Sequence, residues 1–319
     1  MKIVLEETLE HLKGKRRVEI EWDQDDMDIY EFKEQLLEPA LLAWTYHPNT
    51  IAELFGEEEV EDNEIAKDDE YDFDDEYDFD DGNGKVPAHK HEKGGGWVAD
   101  TAQVDDSVYV GENAQVYGNA QVYGNAQVYD NAQVFGSAVV YGSAEVYDSS
   151  EVCGDAKVFG NAKVYGSVKV CGDAQVFGYA KVFGDAQVYG NAKVHGSAVV
   201  YGNATVFDDV HVCGNAKVFG DAQVFGYAKV YDDAHVCGNA TVFGDAKVFG
   251  NAVVYGDAQV FGDAQVYGNA KVFDSAEVCG NAVVYGNARV YGNATVFGDA
   301  VVYGDARVSD NDIVTGETK

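Results

Sequence analysis

From Val98 to Val314 a valine stands at every sixth position, 37 in one register, with no insertion or slip. Self-similarity this short and this strict constrains the fold more than any other property of the chain. A six-residue period fits neither a helix nor a long strand, but it does fit a short strand followed by a corner. The unit reads Ala-x-Val-aromatic-Gly-Asn/Asp, as in Ala120-Gln121-Val122-Tyr123-Gly124-Asn125, with alanine replaced within the array by Val108, Ser150, Val168 and Val210. Alanine and valine, two apart, face the same side. That side is the interior, because a narrow solenoid has room for one small and one medium apolar side chain per edge. Glycine after the aromatic residue suits a backbone turning with positive φ, and the Asn or Asp that follows tolerates the same region.

The Val-x-Gly-Asn/Asp-Ala-x spacing resembles the hexapeptide repeat of left-handed parallel β-helix proteins, especially the cofactor-free tandem-repeat proteins of bacteria and phages. The resemblance covers about two thirds of the chain, residues 97–314. It implies a mainly β fold, a three-sided solenoid of about 12 coils, or roughly 58 Å at ~4.8 Å per coil. The residues alone leave the number of sides open. Corner aspartates segregate with an 18-residue period (Asp155, Asp173, Asp209, Asp245, Asp263, Asp299) and equally with a 12-residue period (Asp173, Asp185, Asp209, Asp221, Asp233, Asp245, Asp257).

Three further segments are distinguished. Residues 1–56 read as a small α+β or helical unit, with a helix near 5–13, a strand near 17–22 and helical turns over 27–55 interrupted at Pro39 and Pro48. Residues 57–96 read as an acidic, disordered linker ending in Gly94-Gly95-Gly96. Asp310-Asn311-Asp312 and the tail 315–319 read as a polar cap on the solenoid.

Charge narrows the partners. The chain carries 56 acidic and 22 basic residues, a formal net charge of -34. It therefore repels nucleic acid and anionic membrane and attracts cationic partners. No stretch approaches the roughly 18 apolar residues of a membrane span, and the start lacks the pattern of a secretory signal, so a cytoplasmic protein is expected. Five cysteines without CxxC spacing argue against a disulfide framework or a zinc site, and reduced thiols fit that compartment.

The family resemblance raises acyl transfer, which in such enzymes uses a loop leaving the coil and a histidine in a cleft. No such loop interrupts this array. His195, His211 and His235 fall at outward positions, and His195 stands too many coils from the other two to converge with them on a metal. His89 and His91 precede the array. No cofactor and no metal is expected. The residue after each core valine, nearly always Tyr or Phe, points outward and stacks into ladders. In an 18-residue coil one face carries Phe207, Phe225, Phe243 and Phe261 in a column shared with Cys153, Cys171 and Cys279. Another carries tyrosines beside Lys163, Lys181, Lys217, Lys271, Arg289 and Arg307. Apolar stripes of this length exceed what monomers usually expose. These residues thus point to a non-catalytic structural or docking protein that forms a homo-oligomer through the phenylalanine face. The tandem Tyr71-Asp72-Phe73-Asp74-Asp75-Glu76-Tyr77-Asp78-Phe79 supplies a second candidate, with Tyr71, Phe73, Tyr77 and Phe79 as anchors for a basic protein. An acyltransferase-like enzyme and an acidic decoy that mimics DNA are the alternative readings.

Overall fold

The computed structural model describes the backbone of residues 2–9, 14–21 and 76–319, and the side chains from Glu76 onward. The chain divides into two compact units, Met1–Glu70 and Tyr71–Lys319. In the first, β1 (Lys2–Leu9) and β2 (Gly14–Glu21) form an antiparallel hairpin. The strand expected near 17–22 lies within β2. The helix expected near 5–13 is instead strand as far as Leu9. Pairing explains the difference: the register sets Ile3 opposite Ile20, Leu5 opposite Val18, Glu6 opposite Arg17 and Glu7 opposite Arg16, apolar and opposite-charge matches that favour a hairpin. The helical turns expected over 27–55 lie outside the described residues.

The second unit is a parallel β-solenoid of three sheets. Within the array, repeat strands pair in parallel with the strand 18 residues further on, as in Val116 with Val134, Val122 with Val140 and Val110 with Val128. Three hexads therefore make one coil, and the 12-residue alternative is excluded. Sheet I holds the strands of Val98, Val116 and onward to Val314; sheet II those of Val104 to Val302; sheet III those of Val110 to Val308. With the non-repeat strands added at their ends, described below, the sheets contain 15, 13 and 12 strands, respectively. Alanine and valine point inward as expected: Ala120, Val122, Ala216 and Val218, deep in the stack, are fully buried.

Corners set the closeness of the coils. Gly220 has φ +76°, and a Cβ built on it would lie 3.0 Å from the backbone N and O of Gly238 in the next coil. Both its conformation and its lack of a side chain are used. At a few corners aspartate takes this place, with positive φ at Asp148, Asp208 and Asp274 among others. Its carboxylate then offsets the strain by accepting from the next coil: Gly166 N–H donates to Asp148 Oδ2 (3.0 Å) and Gly226 N–H to Asp208 Oδ2 (3.1 Å). One residue on, Asn and Asp form ladders, as where Asn203 Nδ2 donates to Asp221 Oδ1 at 2.7 Å.

Of the linker expected over 57–96, residues 57–75 lie outside the described residues, and from Glu76 onward the chain is ordered instead. β3 (Glu76–Asp78) and β4 (Lys85–Lys90) form a hairpin that continues sheet I by pairing antiparallel with β5 (Trp97–Ala99). Phe79 is buried and stacks on Tyr117 (4.7 Å between centroids), while Tyr77 stacks on Trp97 (4.4 Å). The acidic composition masked these two rings, which cover the first coil. Nor are Gly94-Gly95-Gly96 a flexible spacer. Gly94 and Gly96 pack so closely on the Val110 and Gly111 carbonyls that a Cβ would collide with them. At the other end Glu317–Thr318 is a strand of sheet II, not a free tail, with Thr318 opposite Val302.

Because each coil contacts only its neighbours, damage at the cap stays local. Phe79→Ala removes a buried ring, a change worth about 3–5 kcal/mol in a core. Hydrogen exchange should accelerate at amides 97–135 and remain unchanged over 200–290; uniform acceleration, or none, contradicts this role.

Candidate interaction surfaces

Outward positions lie on either side of each core valine, so every sheet presents two columns of side chains per coil. On sheet I the rings of Tyr189, Phe207, Phe225, Phe243 and Phe261 stack at 4.8–5.1 Å with interplanar angles of 5–10°. Stacked face to face, they cover each other's π surfaces and show the solvent their edges, and the four phenylalanines are half-buried. The expected column is therefore present, though less exposed than isolated rings would be. Its companions on these five coils are Gln187, Thr205, Gln223, Thr241 and Gln259, so no charge interrupts the surface. Of the acidic aromatic candidates, Phe79 is consumed by the cap. Tyr77 lies against Trp97 and accepts from Gln115 Nε2 (3.2 Å). Tyr71 and Phe73 lie outside the described residues.

Cysteine pairing corrects the sequence reading. Cys153 and Cys171 occupy the same column of sheet I one coil apart and form a disulfide, with Cα atoms 4.6 Å apart. Searching for CxxC misses such a pair, because neighbours in this fold are 18 residues apart. The argument for a reducing compartment loses its basis. Cys213, Cys237 and Cys279 are free.

The histidines also need correction. His195 follows a core valine and His211 precedes the next one in sheet II, so the two rings sit on adjacent coils, edge to face at 6.4 Å. His195 also stacks on Phe177 at 4.8 Å. Burial, reinforced by Lys193, lowers both imidazole pKa values; Lys229 lowers that of His211 further. Burial raises the thiol pKa of neighbouring Cys213, which leaves it protonated and a poor nucleophile at neutral pH. A shallow groove of about 470 Å³ runs beside His211 under the exposed ring of Tyr227. Ahead of the coils, His89 bonds Asp100 (2.9 Å), and His91 is buried against the Lys93 and Asp105 carbonyls. Among the described residues no three His, Cys, Asp or Glu side chains converge as a metal site, and no helix is long and apolar enough to cross a membrane.

Charges on the solenoid pair across coils where opposite signs meet. Lys163 Nζ lies 2.7 Å from Glu145 on sheet III, and Lys169 3.0 Å from Glu151 on sheet I. Sequence inspection ranked residues by type and missed these partners, which an 18-residue offset reveals.

A family model described as the YdcK beta solenoid repeat matches residues 114–128, 126–142, 186–202, 200–214 and 288–304. The chain is a β-solenoid repeat protein. The matched segments lie near both ends and in the middle of the array, in keeping with a single repeat running through all three sheets. No curated protein matches the chain.

The tyrosine ladders make the solenoid sensitive to alkali. Burial first, then Asp81 and Glu151, pushes Tyr117 up to about 12; burial first, then Glu145, does the same for Tyr129. Their folded pKa exceeds the unfolded value near 10, so their contribution to stability is complete below pH 10 and is lost as pH rises toward 12. Absorbance at 295 nm should show Tyr117 and Tyr129 ionising about two pH units after exposed tyrosines, with Tm falling above pH 10. Titration of all 21 tyrosines as one class near pH 10 contradicts this.

Proposed function

We propose that the protein works without catalysis, as a scaffold that self-associates through sheet I. The observation that carries this reading is the neutral surface from Tyr189 to Phe261, five consecutive coils on which the outward residues are only Gln, Thr, Tyr or Phe. It stands in a chain of net charge -34, where a solvated face would be expected to carry its share of that charge. Continuous apolar edges with neutral hydrogen-bonding neighbours suit the dry centre of an interface, while the corner carboxylates suit a hydrated rim. A second copy presents the same surface, so a two-fold contact satisfies both partners at once.

The outward Cys213 thiol and the neutral histidines of sheet II lack the arrangement that activates a nucleophile, which favours the scaffold over an acyltransferase-like enzyme. Light scattering coupled to size exclusion tests the proposal. Wild type should elute as a multiple of the monomer mass that survives high salt, since apolar contacts are not screened, and Phe225→Ser with Phe243→Ser should reduce it to the monomer. A wild-type monomer at all salt concentrations overturns the reading. Salt-labile capture of a basic protein by that monomer would favour the decoy instead.

A further inference from the structure

On the last three coils of sheet III, Lys271 pairs in register with Arg289 and Arg289 with Arg307. All three side chains are exposed, and no carboxylate among the described residues lies within ion-pair distance of them. Like charges directly opposite one another on parallel strands repel and are destabilising. The same solenoid sets carboxylate against lysine at Glu145–Lys163 and Glu151–Lys169, so in-register neutralisation is available to it and is not used here.

The carboxylates that flank the row are engaged in corner hydrogen bonds. The adjoining corner carries Asn269, Asn287 and Asp305, tied into a ladder in which Asn269 Nδ2 donates to Asn287 Oδ1 and Asn287 Nδ2 to Asp305 Oδ1, both at 3.1 Å. Asp274, beyond Phe273, accepts from Gly292 N–H at 3.2 Å. Asp310, beyond Arg307, accepts from Ser309 Oγ at 3.3 Å, so these carboxylates are bonded within the corners and none pairs with a cation of the row. What remains is three cations spaced by one coil, two of them guanidinium groups able to take carboxylates by two hydrogen bonds each.

Residues 57–75 of this chain hold 12 acidic residues and a single lysine, the inverse of that row. We propose that the row of Lys271, Arg289 and Arg307 is a docking site for residues 57–75 of a second copy of this chain. The contact needs nothing from sheet I, so it stands or falls separately from assembly through the phenylalanine surface. It is electrostatic and exposed, hence weakened by salt.

A carbodiimide, which joins a lysine amine to a carboxylate in contact with it, tests the site on the full-length protein mixed as equal 14N- and 15N-labelled chains. Mass spectrometry should find Lys271 linked to acidic residues of 57–75, with mixed-isotope pairs among the products. The links should fall at least fivefold in 0.5 M NaCl or with Arg289→Gln and Arg307→Gln, and should persist with Phe225→Ser and Phe243→Ser. Lys271 left unlinked overturns the proposal. So do links confined to single-isotope chains, or links to 57–75 no more frequent than those of Lys193, Lys229 and Lys247 on sheet II.

Discussion

The structure depends on how closely one coil lies on the next. Parallel strands repeat at about 4.8 Å, and at the corners this spacing leaves little room for a side chain: a Cβ at Gly202 or Gly244 would stand 3.0 Å from the glycine one coil on, and aspartate is the residue that replaces glycine there, as at Asp148 and Asp208. That approach lets each corner amide reach the carbonyl above it, as Asn203 N–H reaches Gly220 O at 2.8 Å. Inside the coils, alanine and valine fill the interior, with Ser150 the buried polar exception. The same spacing forces outward rings to stack face to face, because side chains in one column have no other room. Core, corners and surface ladders follow from one spacing.

The repeat made most of this legible before any coordinates. The valine period, the inward alanine and the outward aromatic residue all follow from six-residue strand-and-corner geometry. The number of sides does not, because Asp and Asn exchange at corners wherever their ladders tolerate either, as Asn287 and Asp305 do in one column. Outside the repeat, composition misled. The segment around Tyr77 and Phe79 is acidic enough to read as solvated, yet its two rings face the open end of sheet I and its carboxylates face water. The glycine triplet reads as slack, though Gly94 and Gly96 are required by close backbone approach. An 18-residue coil already sets Cys153 and Cys171 in one column, but a search for CxxC spacing passes over the pair; His195 and His211 meet although they lie on opposite sides of their core valines, a proximity that column positions alone do not show.

Function on such a scaffold is carried by departures from uniformity. Sheet I loses its charges over five coils, while sheet III gathers three cations on its last three. Sheet II carries its ring ladder through His195, stacked on Phe177, and breaks it at Cys213. A regular solenoid holds side chains at fixed intervals on rigid strands. Apolar and cationic faces therefore lie on different sheets, and the two contacts proposed above are physically separate.

The most direct test of the three-sided register uses the native cysteines. After mild oxidation and denaturation, alkylation and peptide mapping should recover Cys153 linked to Cys171, with Cys213, Cys237 and Cys279 alkylated, because only the first two share a column on adjacent coils. Five alkylated thiols, or an intramolecular link between Cys213 and Cys237, would contradict an 18-residue coil.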